Sequence, residues 1–195
     1  ALHACGVDAV LAVTVCGAVD PKLALSSLVV FDDLHFAANR LPDGSLCTVH
    51  DQAGAAGRGH WVFERPFSEP LRRALLNGAR STGLPLADGG CYGHVDGPRF
   101  NSRAEIRMLA ACGVSAVSQT AGPETVLCGE LDLPYALLGY VTDYANGVSA
   151  QPTPLAELMR LVKASADALA GTLAAAVSEL DADQLGPVGS HFRFD

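Results

Sequence analysis

Apolar and polar positions follow two rhythms along this chain. Apolar runs at 9–15, 27–31, 86–95, 116–119 and 135–142 have the composition of buried strands. Spacings of three and four predict helices at about 69–82, 102–111, 123–131 and 154–180. Strands alternating with helices predict an α/β fold in three layers, a mixed but mostly parallel sheet flanked by helices. The last helix has the plainest stripe: Leu155, Met159, Val162, Ala166, Leu169, Leu173, Ala176 and Leu180. Thr153 is its expected N-cap and Pro154 its first residue, and the helix reads as scaffold without chemistry. Ser102-Arg103-Ala104-Glu105, after the Gly97-Pro98 reversal, fits the pattern in which a hydroxyl and a glutamate close a helix start. Residues 34–66 keep neither rhythm, and a connection this long is usually functional or interfacial. Residues 1–4 read as the end of a helix entering the first strand, so natural sequence is expected upstream.

Composition narrows the classes. At 195 residues and 49% apolar, the chain is expected to form one domain over 1–195 with a sizeable core. Thirteen basic against 21 acidic residues give −8, and no stretch concentrates Lys or Arg, so nucleic acid and anionic membranes are not expected partners. No basic-then-apolar leader is visible, and no apolar run reads as long enough to span a bilayer. The six cysteines lack metal-ligand or C-x-x-C spacing, which predicts reduced, mostly buried thiols of a cytoplasmic protein and no metal; no cofactor is expected either.

In an open α/β sheet, ligands bind beyond the carboxyl ends of the strands. Those ends hold Thr14-Val15-Cys16-Gly17, then Arg99-Phe100-Asn101, then Gln119-Thr120 before Gly122-Pro123-Glu124, and finally Thr142-Asp143. Two threonines and the free amides of a helix start suit a small anion. Phe100 offers a flat apolar face and Asp143 a carboxyl. Together they point to a phosphate-using enzyme acting on a heteroaromatic compound.

The segments GPRFNSRAEIRML, QTAGPETVL and GYVTDYANG, with TVCG at the first strand end, resemble in order and spacing the trimeric purine nucleoside phosphorylase and methylthioadenosine phosphorylase family. Thr142-Asp143-Tyr144 brings the chain nearer the methylthioadenosine branch. The resemblance implies phosphorolysis of a purine nucleoside, with phosphate as co-substrate and a homotrimer as the working form. It implies that Thr14 and Thr120 bind phosphate, and that Val15, Cys16, Gly17 and Thr142 line the nucleoside site. Phe100 would flank the purine, Asn101 its pyrimidine edge, and Gln119, where the family has methionine, would lie under the ribose. Asp143, protonated, would donate to purine N7. His60 resembles the histidine that a neighbouring subunit places near the 5′ end of the substrate. Ala145 stands where the methylthioadenosine branch has a second aspartate. The family's glycine-rich phosphate loop and its Arg-His segment have no counterpart here, so the alternative reading is a member without phosphorolysis: a nucleoside hydrolase or a nucleoside-binding protein.

Overall fold

The computed structural model describes residues 1–194 except 51, 53 and 55. Its strands are β1 (Val10–Ala18), β2 (Leu28–Val30), β3 (Asp33–His35), β4 (Gly59–Val62), β5 (Leu86–Asp88), β6 (Cys91–His94), β7 (Val114–Ser118), β8 (Tyr135–Tyr144) and β9 (Ser190–Arg193). Its helices are α1 (Glu69–Arg80), α2 (Arg103–Ala111), α3 (Ala121–Glu130) and α4 (Leu155–Ser178). Seven strands form one sheet in the order β3-β6-β7-β1-β8-β2-β5, while β4 and β9 pair as a separate antiparallel ribbon. Within the large sheet β7/β1 and β8/β2 are antiparallel and the other neighbours parallel, as a mixed, mostly parallel sheet requires.

Strand β8 shows why the sheet needs helices on both faces. Its first eight residues are all buried. Ala136, Leu138 and Tyr140 join Leu71 and Leu75 of α1 and Leu161 and Leu169 of α4. Tyr135, Leu137 and Val141 point the other way, to Phe31, Tyr92 and Ala121 at the start of α3. A period of two buried on both sides reads in sequence as one continuous apolar run. Helix α2 packs at the β7 end through Ile106 and Leu109 against Val114.

The sequence reading is corrected in several places. The run 86–95 is two strands, because Gly89 and Gly90 take φ of +90° and +132° and the Gly90 amide donates to Asp32 Oδ1 at 2.7 Å. The irregular segment 34–66 holds part of β3 and all of β4. It is pinned to α3 where Glu130 Oε2 accepts from Thr48 Oγ1 at 3.0 Å and where Trp61 lies on Gly129. Residues 3–5 form one 3-10 turn rather than a helix end. Pro154 is the N-cap of α4, and Thr153 Oγ1 instead accepts from the Tyr144 amide at 3.2 Å. Cys5 and Cys112 are exposed, whereas Cys16 and Cys47 are buried and Cys91 and Cys128 half-buried; all six are free. Helix α4 is, by length and composition alone, apolar enough to cross a membrane, contrary to the sequence reading. Its buried residues Leu161, Ser165, Leu169, Thr172 and Ala176 pack against the sheet and α1, so its stripe serves packing in its second half. At its N-terminal end Leu155, Met159 and Val162 are exposed.

Helices α1 and α4 are in close contact at Gly78, where a Cβ would come within 2.5 Å of the Thr172 carbonyl oxygen. Alanine is the better helix former by about 1 kcal/mol, but overpacking a fixed contact costs about 1–3 kcal/mol. Gly78→Ala is therefore expected to lower the urea midpoint at unchanged slope; a midpoint at or above that of the parent would show that the helices part freely.

Candidate active site

The site begins with a slip in register. β1 and β8 pair residue for residue up to Cys16 with Val141, and then Gly17 pairs with Asp143, leaving Thr142 as the extra residue. Such a bulge re-aims the side chains around it. Thr142 Oγ1 donates to Asp143 Oδ1 at 2.9 Å. A Cβ on Gly17 would meet Asp143 Oδ2 at 3.1 Å, so the glycine makes room for the carboxylate. Burial raises the Asp143 pKa above the usual carboxylate range, and the Thr142 hydroxyl only partly offsets this. The same burial, with Asp143 beside it, pushes the Cys16 thiol far up, so Cys16 packs rather than reacts.

Strand β7 supplies the second part. It runs antiparallel to β1 and pairs with it only at Gly17–Val117 and Ala18–Ala116. Its carboxyl end thus lies beside Thr14, not at the end of β1. Thr14 Oγ1 sits 2.8 Å from Ser118 Oγ and 3.0 Å from Thr120 Oγ1, a cluster of three hydroxyls. The free amides expected at the following helix are not free. Tyr92 Oη accepts from the amides of Thr120 at 3.3 Å and Ala121 at 3.1 Å, and His94 Nδ1 accepts from Gly122 at 3.3 Å. An anion here would meet hydroxyls, not the helix terminus.

The turn before α2 forms the third part. Ser102 and Glu105 close the helix start reciprocally, and Arg99 pairs with the Glu105 carboxylate at 2.7 Å, which holds the Glu105 pKa down to about 2. Gln119 lies against Gly97, where any Cβ would collide with its amide, and so fastens the turn to β7. Asn146 Nδ2 donates to the Asn101 carbonyl at 2.8 Å, fastening it to the chain after β8. Phe100 is left 65% exposed, facing the cavity these elements enclose.

That cavity has a volume of about 370 Å³, ordinary for a small-molecule site. Val15, Cys16, Gly17, Phe100, Asn101, Gln119, Thr120, Thr142 and Asp143 all line it. Thr14 is buried and meets it through the hydroxyls of Ser118 and Thr120. His60 is not brought there: it lies on the β4–β9 ribbon, its ring 4.9 Å from that of Phe194 and 6.4 Å from that of Phe192. Sequence reasoning missed Ser118, Ile106 and Asn146, and it read Met159 and Val162 as scaffold although they form a wall with Leu158. Their helical stripe is the same signal whether the apolar face meets a core or a ligand. Tyr92 and His94 carried no signal, because their partners lie 28 and 29 residues away.

Comparison with known proteins shows the family. The sequence profile described as the Phosphorylase superfamily matches residues 1–178. The chain is 31% identical over 181 residues to a 6-oxopurine nucleoside phosphorylase of Pyrococcus furiosus, covering 91% of this chain and 67% of that protein. It is 38% identical over 151 residues to an S-methyl-5′-thioadenosine phosphorylase of Mycobacterium tuberculosis, covering 77% of this chain and 52% of that protein. Methylthioadenosine phosphorylase from Schistosoma mansoni, solved with adenine, superposes with a TM-score of 0.80 at 23% identity, over 92% of this chain and 69% of that one. The chain thus spans between half and about two thirds of the length of these proteins, and the profile match over residues 1–178 together with the identity to the Pyrococcus furiosus protein makes it a member of the phosphorylase superfamily.

Proposed function

We propose that this chain carries the nucleoside site of a purine nucleoside phosphorylase. It would cleave the N-glycosidic bond of a compound such as 5′-methylthioadenosine with phosphate, giving free base and a ribose 1-phosphate derivative. The observation that carries this reading is a carboxyl whose burial favours its neutral form, in an apolar-walled cavity that also holds a hydroxyl cluster. Breaking the bond leaves positive charge on the sugar and negative charge on the purine, as in glycoside hydrolysis. A neutral Asp143 donates its proton to purine N7, so the base leaves uncharged. Phosphate, held by the hydroxyls of Ser118 and Thr120 with Thr14 behind them, stabilises the sugar cation and forms the new C–O bond. Phe100 is the base wall, Asn101 faces the pyrimidine edge, and Gln119 lies under the ribose. Leu158, Met159 and Val162 supply an apolar surface for the remaining substituent. The reaction needs no cofactor, and six unpaired cysteines fit a cytoplasmic setting.

The working form we propose is a homotrimer in which His60 serves a neighbour's site. Phe192 and Phe194, which flank His60, are 64% and 49% exposed, and Val62 on the same ribbon is 52% exposed. Sedimentation is expected to show a trimer; an active monomer would remove His60 from the site.

The deciding assay incubates the protein with 5′-methylthioadenosine, adenosine, inosine and 5′-deoxyadenosine, with and without phosphate, and follows free base. Base released only with phosphate is expected. Release in its absence would identify a hydrolase, and no release from any of the four would refute the reading.

Asp143→Ala is expected to lower kcat/KM by about 10²–10⁴-fold, the usual worth of a positioned acid, while Asp143→Asn, which keeps an N–H donor, loses less. The sign of the pH effect follows from the raised pKa. The active form is the protonated one, so kcat/KM declines as pH rises through the Asp143 pKa, and that limb vanishes in Asp143→Asn. An unchanged profile in the asparagine variant would exclude Asp143 as the acid.

A further inference from the structure

His94 has no part in the chemistry above, yet room has been made for it. A Cβ at position 122 would fall 2.5 Å from His94 Cγ, so only glycine lets the imidazole lie against the first turn of α3. There Nδ1 accepts the Gly122 amide at 3.3 Å, while Tyr92 takes the amides of Thr120 and Ala121. Three successive amides are thus tied to two side chains of β6. Thr120, whose hydroxyl belongs to the cluster at the cavity, is the first residue tied down. Phe36 packs against the ring as well, with centroids 4.7 Å apart at 80°.

We propose that His94, as a neutral imidazole accepting at Nδ1 from Gly122, is a positioning residue that holds the first turn of α3, and through it Thr120, in place to bind an anion, and that a proton on the ring releases that turn. The anion is phosphate if the reading of the preceding section holds. A protonated imidazole carries N–H on both nitrogens and cannot accept the Gly122 amide. It also brings a cation to the positive end of a helix. Burial holds the His94 pKa below the usual imidazole range, opposed in part by Asp96. Of the neighbouring elements, α3 has Glu124 in its first turn, where Oε2 accepts from Tyr135 Oη at 3.1 Å, β3 on the other edge of β6 carries Asp33 and His35, and β7 carries no charged residue. For a depressed pKa the sign is fixed: the capped arrangement is complete above the ordinary imidazole pKa and is lost as pH falls through the folded-state value.

The test uses two variants of the whole chain. His94→Asn keeps an acceptor but does not titrate; His94→Ala keeps neither ring nor acceptor. In NMR of the parent, the Gly122 and Thr120 amide shifts are expected to move with the same midpoint as the His94 ring carbons, and in His94→Asn to stay flat. In the parent, phosphate KM should rise relative to His94→Asn by about fivefold across that midpoint, the worth of one helix cap, with kcat changed less than about twofold. The ratio of parent to variant at each pH cancels the ionisation of phosphate itself. Should no base be released by any form, the phosphorolysis reading fails. The Kd of inorganic phosphate, read from the Thr120 amide, then replaces KM, and an unsaturable response would overturn the anion role as well. A Gly122 amide that ignores the His94 titration overturns the proposal, as does a flat phosphate ratio. A ratio that runs the other way, with tighter binding when the ring is charged, makes His94 an ion-pairing group instead. If His94→Ala does not fold, the parent and His94→Asn decide alone.

Discussion

The pairing of β8 with β1 is the constraint on which the rest of the molecule depends. β8 is clamped between a parallel and an antiparallel neighbour and buries both faces. A slip of one residue over its whole length would exchange the two faces, and neither helical layer would accept the wrong set. The register is therefore fixed by packing up to Val141, and the single slip is confined to its end. There the extra residue turns Thr142 and Asp143 toward the cavity. A site set at the margin of a rigid strand pair is held more accurately than one carried on loops.

Several glycines share one structural task, unrelated to turning the chain. Gly17 admits Asp143, Gly97 admits Gln119, Gly122 admits His94 and Gly129 admits Trp61; in each case a Cβ would stand within 3.1 Å or less of the visiting side chain. None of the four needs positive φ. Three of these contacts surround the cavity or the helix start beside it, so backbone and side chains approach there more closely than β-carbons allow. The polar groups of the site are consequently held from behind as well as from the front.

That closeness also explains the electrostatic character of the cavity. Asp143 sits among apolar neighbours that favour its neutral form, and Cys16 is held as a thiol by the same burial. The helix terminus nearby is already satisfied by Tyr92 and His94. What remains available at the surface is a set of neutral donors: the hydroxyls of Ser118 and Thr120, the amides of Asn101 and Gln119, and one protonatable carboxyl.

Local sequence by itself determined the four helices, the strands β1 and β8, the reciprocal closing of α2 by Ser102 and Glu105, and Phe100, Asn101 and Asp143 as the residues to watch. Each of these is written within a few neighbouring positions, as a period, a cap or a motif. Tertiary structure alone decided the remainder. The ribbon β4–β9 joins residues about 130 positions apart, and strands of four half-exposed residues leave no periodic trace. The early turns of α4 repeat the same apolar stripe as its later ones, yet they line a cavity instead of the core. The amides of α3 look free in sequence, because nothing in QTAGPET records that Tyr92 and His94 will reach them. Local order follows from neighbours along the chain, whereas which groups are left unsatisfied depends on partners that only folding brings together.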